Sequence, residues 1–404
     1  MSNQTSSRAG SARPATSDLD LFSPEHLADP FPALDELRDL APAVYMSRHD
    51  FWLLSRYDEV RAASADWQTF SSALGVALLE ESNRALAGTF LASDPPEHDQ
   101  FRAVLAEQTA PRGMRRLRDG VAATADRLVA AVVGRGRVDG VADLARVLPV
   151  NVVADLVGLP HAGRERIQPG AANMQYLFGP DTPQFREVAA TVGEYLGWVA
   201  SLAHRDRIAP GSWGAAVLDA VDEGRLTADQ GISTLTAFLT AGIDTTVNAI
   251  GSLLKIFAEQ PDVWQALRAE PTLGRGAFEE ALRLESPVQG FFRGTTTETT
   301  IGDETLPAGS RVMLHWGAAN RDPRHYPDPD VFDLRRSPLD HLAFGHGVHG
   351  CAGQAVARLE AGCLIDALVA GVETFALAGE PTYAAVPVAR SLSTLPLLIE
   401  PLEV

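Results

Sequence analysis

The stretch from Leu226 to Gln260, LTADQGISTLTAFLTAGIDTTVNAIGSLLKIFAEQ, repeats its apolar residues at helical spacing for roughly 30 residues or more, a reach of about 45 Å at 1.5 Å per residue. A helix of that length crosses a whole domain, so the rest of the chain must pack around it. Its centre departs from good helix design. Ala241-Gly242 is followed by Asp244, Thr245 and Thr246 where packing favours leucine. Glycine there costs roughly 1 kcal/mol, and short polar side chains compete for backbone bonds and bend the helix. Such local violations concentrate at functional sites. With 46% hydrophobic and 21% charged residues the chain can bury a large core around this element.

A second stretch constrains the chemistry. Phe344 to Gly353, FGHGVHGCAG, packs glycines at 345, 347, 350 and 353 around one of the two cysteines. Glycines let backbone approach a bound group closely. The residues after Cys351 turn at once into an amphipathic helical pattern, and a cysteine at a helix start faces unpaired N–H groups that favour a thiolate. Zinc on His346, His349 and Cys351 lacks paired-ligand spacing. Cys363 shares a helical stripe with Val356, Leu359 and Ala367 and reads as a buried hydrophobe.

The loop resembles the haem-binding signature of the cytochrome P-450 superfamily, with Phe344, Gly347, His349, Cys351 and Gly353 at the pattern's fixed places. Three further motifs agree, and the resemblance runs from about residue 20 to the C-terminus. It implies a mainly α fold with small β-sheets, in which the long central helix and the cysteine-loop helix sandwich a haem b. Cys351 is then the axial iron ligand. His98 and Arg102, four apart on one helix face, match haem-propionate ligands, as do Arg293 and His349. Glu280 and Arg283 match the family's ExxR pair, completed by Arg336 from the irregular segment before the cysteine loop; the triad is structural. Asp244 and Thr245 match the acid and alcohol that deliver protons to iron-bound oxygen. Thr245 bonding back to a carbonyl one turn earlier is compatible with that role.

The resemblance further implies a monooxygenase that uses O2 and receives electrons from a separate iron–sulfur ferredoxin and an NAD(P)H-dependent reductase. Arg112, Arg115, Arg116 and Arg118 form a basic patch on a chain of net charge −18, suited to docking an acidic ferredoxin or else a solvated helix face. AGIDTTVNAIG and FEEALRLESPVQGFFRGTTT look closest to bacterial members that oxidise small aromatic acids, notably by demethylating para-methoxybenzoates. The pocket residues implied are Leu91, Phe178, Ala241, Val288 and Phe291, with Tyr176 near the roof and Phe292 beside Phe291. That subgroup steadies a carboxylate partly from the long helix, where this chain has Thr236 and Ala237. A neutral methoxy-aromatic or phenol therefore fits as well as a benzoate, unless Arg84 substitutes. A macrolide or terpene hydroxylase shares every motif. A peroxide-driven peroxygenase and a haem sensor without turnover are disfavoured by the intact Asp244-Thr245 pair.

The remaining chain reads as one domain from 20 to 404 behind a disordered polar tail, 1–19, which lacks the apolar centre of a signal peptide. No apolar run reaches the roughly 18 residues needed to span a bilayer, two cysteines give no disulfide framework, and the protein is expected in the cytoplasm. The acidic charge argues against nucleic acid. A strand is expected at Phe51 to Leu54, a helix from Tyr57, and a long loop ending at Pro95-Pro96. A helix follows with Asp94 as N-cap, then mostly helix from Val121 to Leu202. Two strands flank Gly302-Asp303 and Pro307-Ala308-Gly309, and one strand closes the chain from Ser391.

Overall fold

Gly242 and Ile243 divide the long helix into two parts, Ala228–Ala241 and Asp244–Glu259. The expected single run is thus interrupted at the polar centre. A Cβ on Gly242 would lie 2.6 Å from the Phe238 carbonyl oxygen, so only glycine fits this tightened turn. The Thr245 hydroxyl donates to the Ala241 carbonyl at 2.7 Å and the Thr246 hydroxyl to that of Gly242 at 3.3 Å, satisfying acceptors that the interruption loosens. Thr227 and Gln230 form a capping box at the N-terminal end. Ala228–Glu259 is apolar enough to cross a bilayer, yet 67% of its most apolar window is buried in the protein, as befits a core helix.

The computed structural model describes residues 14–402. The Gly274–Glu285 helix packs on both Asp244–Glu259 and Gln354–Gly371, and the latter lies along Pro111–Val133. One apolar core joins these elements through Phe257, Trp264, Phe278, Leu364 and Phe375. Beside this helical body stands a six-stranded sheet in the order Thr16–Ser17, Ala43–Met46, Phe51–Leu54, Arg311–His315, Gly290–Thr295, Phe70–Ser71. A three-stranded sheet joins Val372–Leu377, Pro396–Pro401 and Arg137–Asp139.

Several expectations need correction. Of the supposed tail 1–19, residues 1–13 lie outside the described residues, but Thr16–Ser17 pairs in parallel with Tyr45–Met46, so regular structure begins before residue 20. Asp94 does not cap the next helix, which begins at Glu97 with Pro96 in the cap position. Its carboxylate instead accepts from the Ser71 hydroxyl and the Ser72 and Ala73 amides, and His349, with Nε2 3.8 Å away, together with these donors holds it below the ordinary range against the cost of its burial. The C-terminal segment forms two strands, Ser391–Thr394 and Pro396–Pro401, in different sheets. Thr299–Ile301, Glu304–Leu306 and Arg311–His315 make three strands where two were expected.

Candidate active site

Two ion clusters are built on glutamates of the Gly274–Glu285 helix. In the first, Glu280 and Arg283, both fully buried, face each other through two bonds of 2.8 Å. Arg336 joins Glu280 at 3.0 Å, and Arg283 also donates to the carbonyls of Asn320, Pro329 and Val331. Three charges from a helix and an irregular segment are thereby fixed with their hydrogen bonds satisfied. The second cluster was not read from the sequence. Glu279 receives Arg358 through bonds of 2.6 and 3.0 Å and His341 at 3.1 Å. Burial raises its carboxyl, but the hydrogen bonds from His341 and Arg358 and the Arg358 charge draw it down to about 2. Arg358 lies over the Phe344 ring at 4.6 Å, so this cluster ties the cysteine-loop helix to the loop's aromatic residue. The signal was present as a second glutamate beside Glu280.

Within the loop, Gly347 has φ of +73°, and a Cβ there would sit 2.5 Å from the Ser64 carbonyl oxygen. Cys351 donates its amide to the Phe344 carbonyl at 2.8 Å. The helix after it starts at Gln354 with Gly353 as cap, three residues beyond the cysteine. Burial pushes the free thiol up, while the Gly353 and Gln354 amides, Arg102 and Arg358 pull it down. The thiolate form is the one a bound metal cation stabilises.

Around this loop lie donors with unspent capacity. His98 and His349 have ring centroids 4.5 Å apart, and the Nε2 of each is buried without a hydrogen-bond partner. Burial lowers both imidazoles, His349 to about 4. Arg293, 4% exposed, donates to the neighbouring Phe292 carbonyl, and burial pulls its guanidinium down to about 10. Arg102 donates to the Gly350 carbonyl at 2.7 Å, next to Cys351. Buried donors short of acceptors are costly unless a bound anion completes them.

On the long helix, Asp244 is 2% exposed, and burial raises its carboxyl to about 6 despite the Gln168 and Asn248 amides and Arg146 beside it. Asn248 donates to Asp244 at 3.2 Å and accepts from the Ser391 hydroxyl. Gln168 and Arg146 were missed in the sequence, since nothing local marks a residue that reaches another helix.

Phe178 and Phe291 meet with ring centroids 4.8 Å apart, in an apolar cluster with Val76, Ala77, Leu91 and Val388. Val288 bridges to Ala389 nearby. Phe292 is a correction. It is fully buried against Phe51 on the opposite face of the Gly290–Thr295 strand, because successive strand residues alternate in direction. Arg84 is exposed on the Glu80–Leu86 helix, whose buried residues are Ser82 and Asn83. Tyr176 is half-buried, close enough for the Asp244 charge to contribute to the rise of its phenol.

Residues 210–377 match the family model Cytochrome P450. Cytochrome p450 CYP199A2 of Rhodopseudomonas palustris is 38% identical over 387 residues, 95% of this chain and 94% of the relative. The chain belongs to the cytochrome P450 family. The P450 monooxygenase PikC of Streptomyces venezuelae is 33% identical over 96% of this chain and 95% of its own. Among solved structures, that of P450BioI bound to an acyl carrier protein carrying hexadec-9Z-enoic acid superposes with a TM-score of 0.85 at 29% identity, covering 93% of this chain and all of that one. This P450 is a monooxygenase with haem b as cofactor and O2 as co-substrate. The residues present fit a haem: a loop-borne cysteine met by two amides, and close by, buried donors lacking acceptors, which suit anionic propionates.

Proposed function

We propose that this P450 inserts one oxygen atom into a small methoxy-aromatic compound, by hydroxylation or O-demethylation. The observation that carries the substrate class is the Phe178–Phe291 pair within an uncharged cluster, a wall suited to a flat ring. The resemblance of the central-helix and Glu280-helix segments to P450s that oxidise aromatic acids supports the same class. Arg84 is exposed, and the apolar side chains of the wall offer a carboxylate no counter-charge, so a neutral methoxy-aromatic is favoured over a benzoate.

Cys351 would hold the haem iron, with His98, Arg102, Arg293 and His349 at the propionates. When bound, the thiolate-ligated haem supplies O2 activation and O–O cleavage. The chain's part is to hold the ring between Phe178 and Phe291, exclude water with the apolar wall, and move protons. Asp244 accepts a proton from the solvent side and passes it toward the Thr245 hydroxyl, whose bond to the Ala241 carbonyl fixes its direction. A carboxyl raised to about 6 exchanges protons readily near neutrality. Ala241 presents only a methyl beside this pair.

Bacterial P450s generally draw electrons from a ferredoxin and reductase. We assign ferredoxin docking to Arg112, Arg115 and Arg116, exposed on the Pro111–Val133 helix beside the cysteine-loop helix; Arg118 lies 3.5 Å from Asp366 and is partly neutralised. The test is product analysis with reconstituted redox partners. A neutral para-methoxy-aromatic should yield its phenol and formaldehyde in equal amounts. Turnover of macrolactones with none of methoxy-aromatics would overturn the reading.

A further inference from the structure

A narrow cleft runs between residues 386–390 and the short Pro24–Ala28 helix, over the end of the Arg311–His315 strand. Its space is about 20 Å³, enough for a water molecule or one hydroxyl group. Gln289, Met313 and His315 are buried at its inner end, and half-buried Leu27 and Pro387 stand at its mouth. The Gln289 side-chain amide donates to the carbonyls of Glu285 at 3.0 Å and Ser286 at 2.6 Å, which fixes its orientation and leaves Oε1 buried with no hydrogen-bond partner. A buried acceptor of this kind is costly unless a bound group supplies a donor. His315 accepts the Ala318 amide on Nδ1 at 3.1 Å, and burial pulls its imidazole down to about 4, so the neutral ring carries its proton on Nε2. Gly290, next to Gln289, pairs with His315 across the sheet. Arg390 also lines the cleft, but Glu285 meets its charge at 2.7 Å. The lining thus offers an acceptor and a donor with little free charge.

We propose that this cleft is a second ligand site, which takes the hydroxyl of a small phenol between Gln289 Oε1 and the His315 ring and leaves the aromatic ring on Leu27 and Pro387 at the mouth. One hydroxyl donates and accepts, so it satisfies both groups at once. An anion would meet the Gln289 oxygen without a proton to give and would find Arg390 already paired. A bare hydrocarbon would leave both groups unmet. The choice of a phenol rests on the proposed O-demethylation, whose product it is. One segment joins the cleft to the Phe178 wall. Val388 belongs to the Phe178 cluster, while its neighbours Pro387 and Ala389 line the cleft. The Val388 carbonyl accepts the Gln289 backbone amide at 2.8 Å, and a Cβ on Gly179 would lie 2.3 Å from Pro387 Cγ, so this segment also abuts the chain just after Phe178. A phenol released from the wall therefore has a hydroxyl site on the same segment.

The test is calorimetric and uses the full-length holoenzyme with its haem pocket filled by an aryl-imidazole, so that only binding outside the pocket is read. Para-cresol should show one saturable site, and toluene, which lacks the hydroxyl, should bind about tenfold more weakly or worse. His315→Asn keeps an acceptor for the Ala318 amide but removes the ring donor. Leu27→Trp covers the mouth and leaves the inner end alone. Each should weaken para-cresol binding by about tenfold, with the carbonyl band of the reduced protein unchanged. No saturable heat with the wild type, equal binding of toluene, or unchanged affinity in both variants would overturn the site, its space then holding water only. Turnover separates the site from the reading it rests on. Phenol formed from methoxy-aromatics without para-cresol binding here sinks the site alone; binding here without phenol formation sinks the proposed reaction and leaves the hydroxyl site standing.

Discussion

Asp244→Asn should make the protein more stable while impairing it as an enzyme. Burial lifts the Asp244 carboxyl from 3.8 to about 6 in the folded state. Below pH 3.8 the group is protonated in folded and unfolded chains alike and its burial is compatible with the fold. As pH rises past 3.8 toward 6 the unfolded chain releases its proton first, and that stability is lost. The rise of about two units corresponds to about 3 kcal/mol at pH 7, shrinking to about 1 kcal/mol near pH 4.5. Asparagine keeps the shape and removes the charge, and it can still meet Gln168 and Asn248. Urea unfolding at the two pH values, followed by tryptophan fluorescence, should therefore show the variant ahead by those amounts. A variant less stable than wild type at pH 7, or a gap identical at both pH values, would refute the reasoning. Such a gain from removing a functional group is the mark of a site strained for activity.

Three further outcomes are expected. Glu279→Gln should cost about 3 kcal/mol at neutral pH by leaving Arg358 without its counter-charge; because the Glu279 carboxyl is held near 2, the deficit should persist to about pH 4.5 and fade as pH drops toward 2, read by urea midpoints. Phe178→Ala removes one partner of the ring pair and should weaken methoxy-aromatic binding by up to about tenfold in ferric spin-shift titrations, with the carbonyl band of the reduced protein unchanged. Reversing Arg115 and Arg116 together to glutamate should slow reduction by an acidic ferredoxin and flatten its salt dependence in stopped-flow traces; an unchanged rate would move docking elsewhere.

What the sequence disclosed depended on how local each signal was. The cysteine loop, the Glu280–Arg283 pair and the polar centre of the long helix are runs of contiguous residues, and each appears in the structure as a compact unit. Arg336 came within reach through family resemblance, since 56 residues separate it from the Glu280 it meets. The Glu279–Arg358–His341 cluster spans three segments and left no local pattern beyond a doubled glutamate. Arg137–Asp139 is too short to show alternation and is defined by its partner strand. Phe292 was assigned to the wrong side because the Gly290–Thr295 strand itself went unread, and a strand's two-residue period decides which neighbour faces the pocket. Gln168 and Arg146 matter through tertiary approach to Asp244, which no spacing along the chain encodes.

The most direct test of the substrate assignment is the ferric spin-state titration of the purified enzyme with matched ligands, para-methoxytoluene against para-methoxybenzoate. Sealing an unpaired carboxylate against the Phe178–Phe291 wall costs several kcal/mol, so the neutral compound should drive a saturable shift to high spin at concentrations about 100-fold lower than the acid. Tighter binding of the benzoate would contradict the account, and would require a cation at the wall where the structure has Leu91, Phe178 and Phe291.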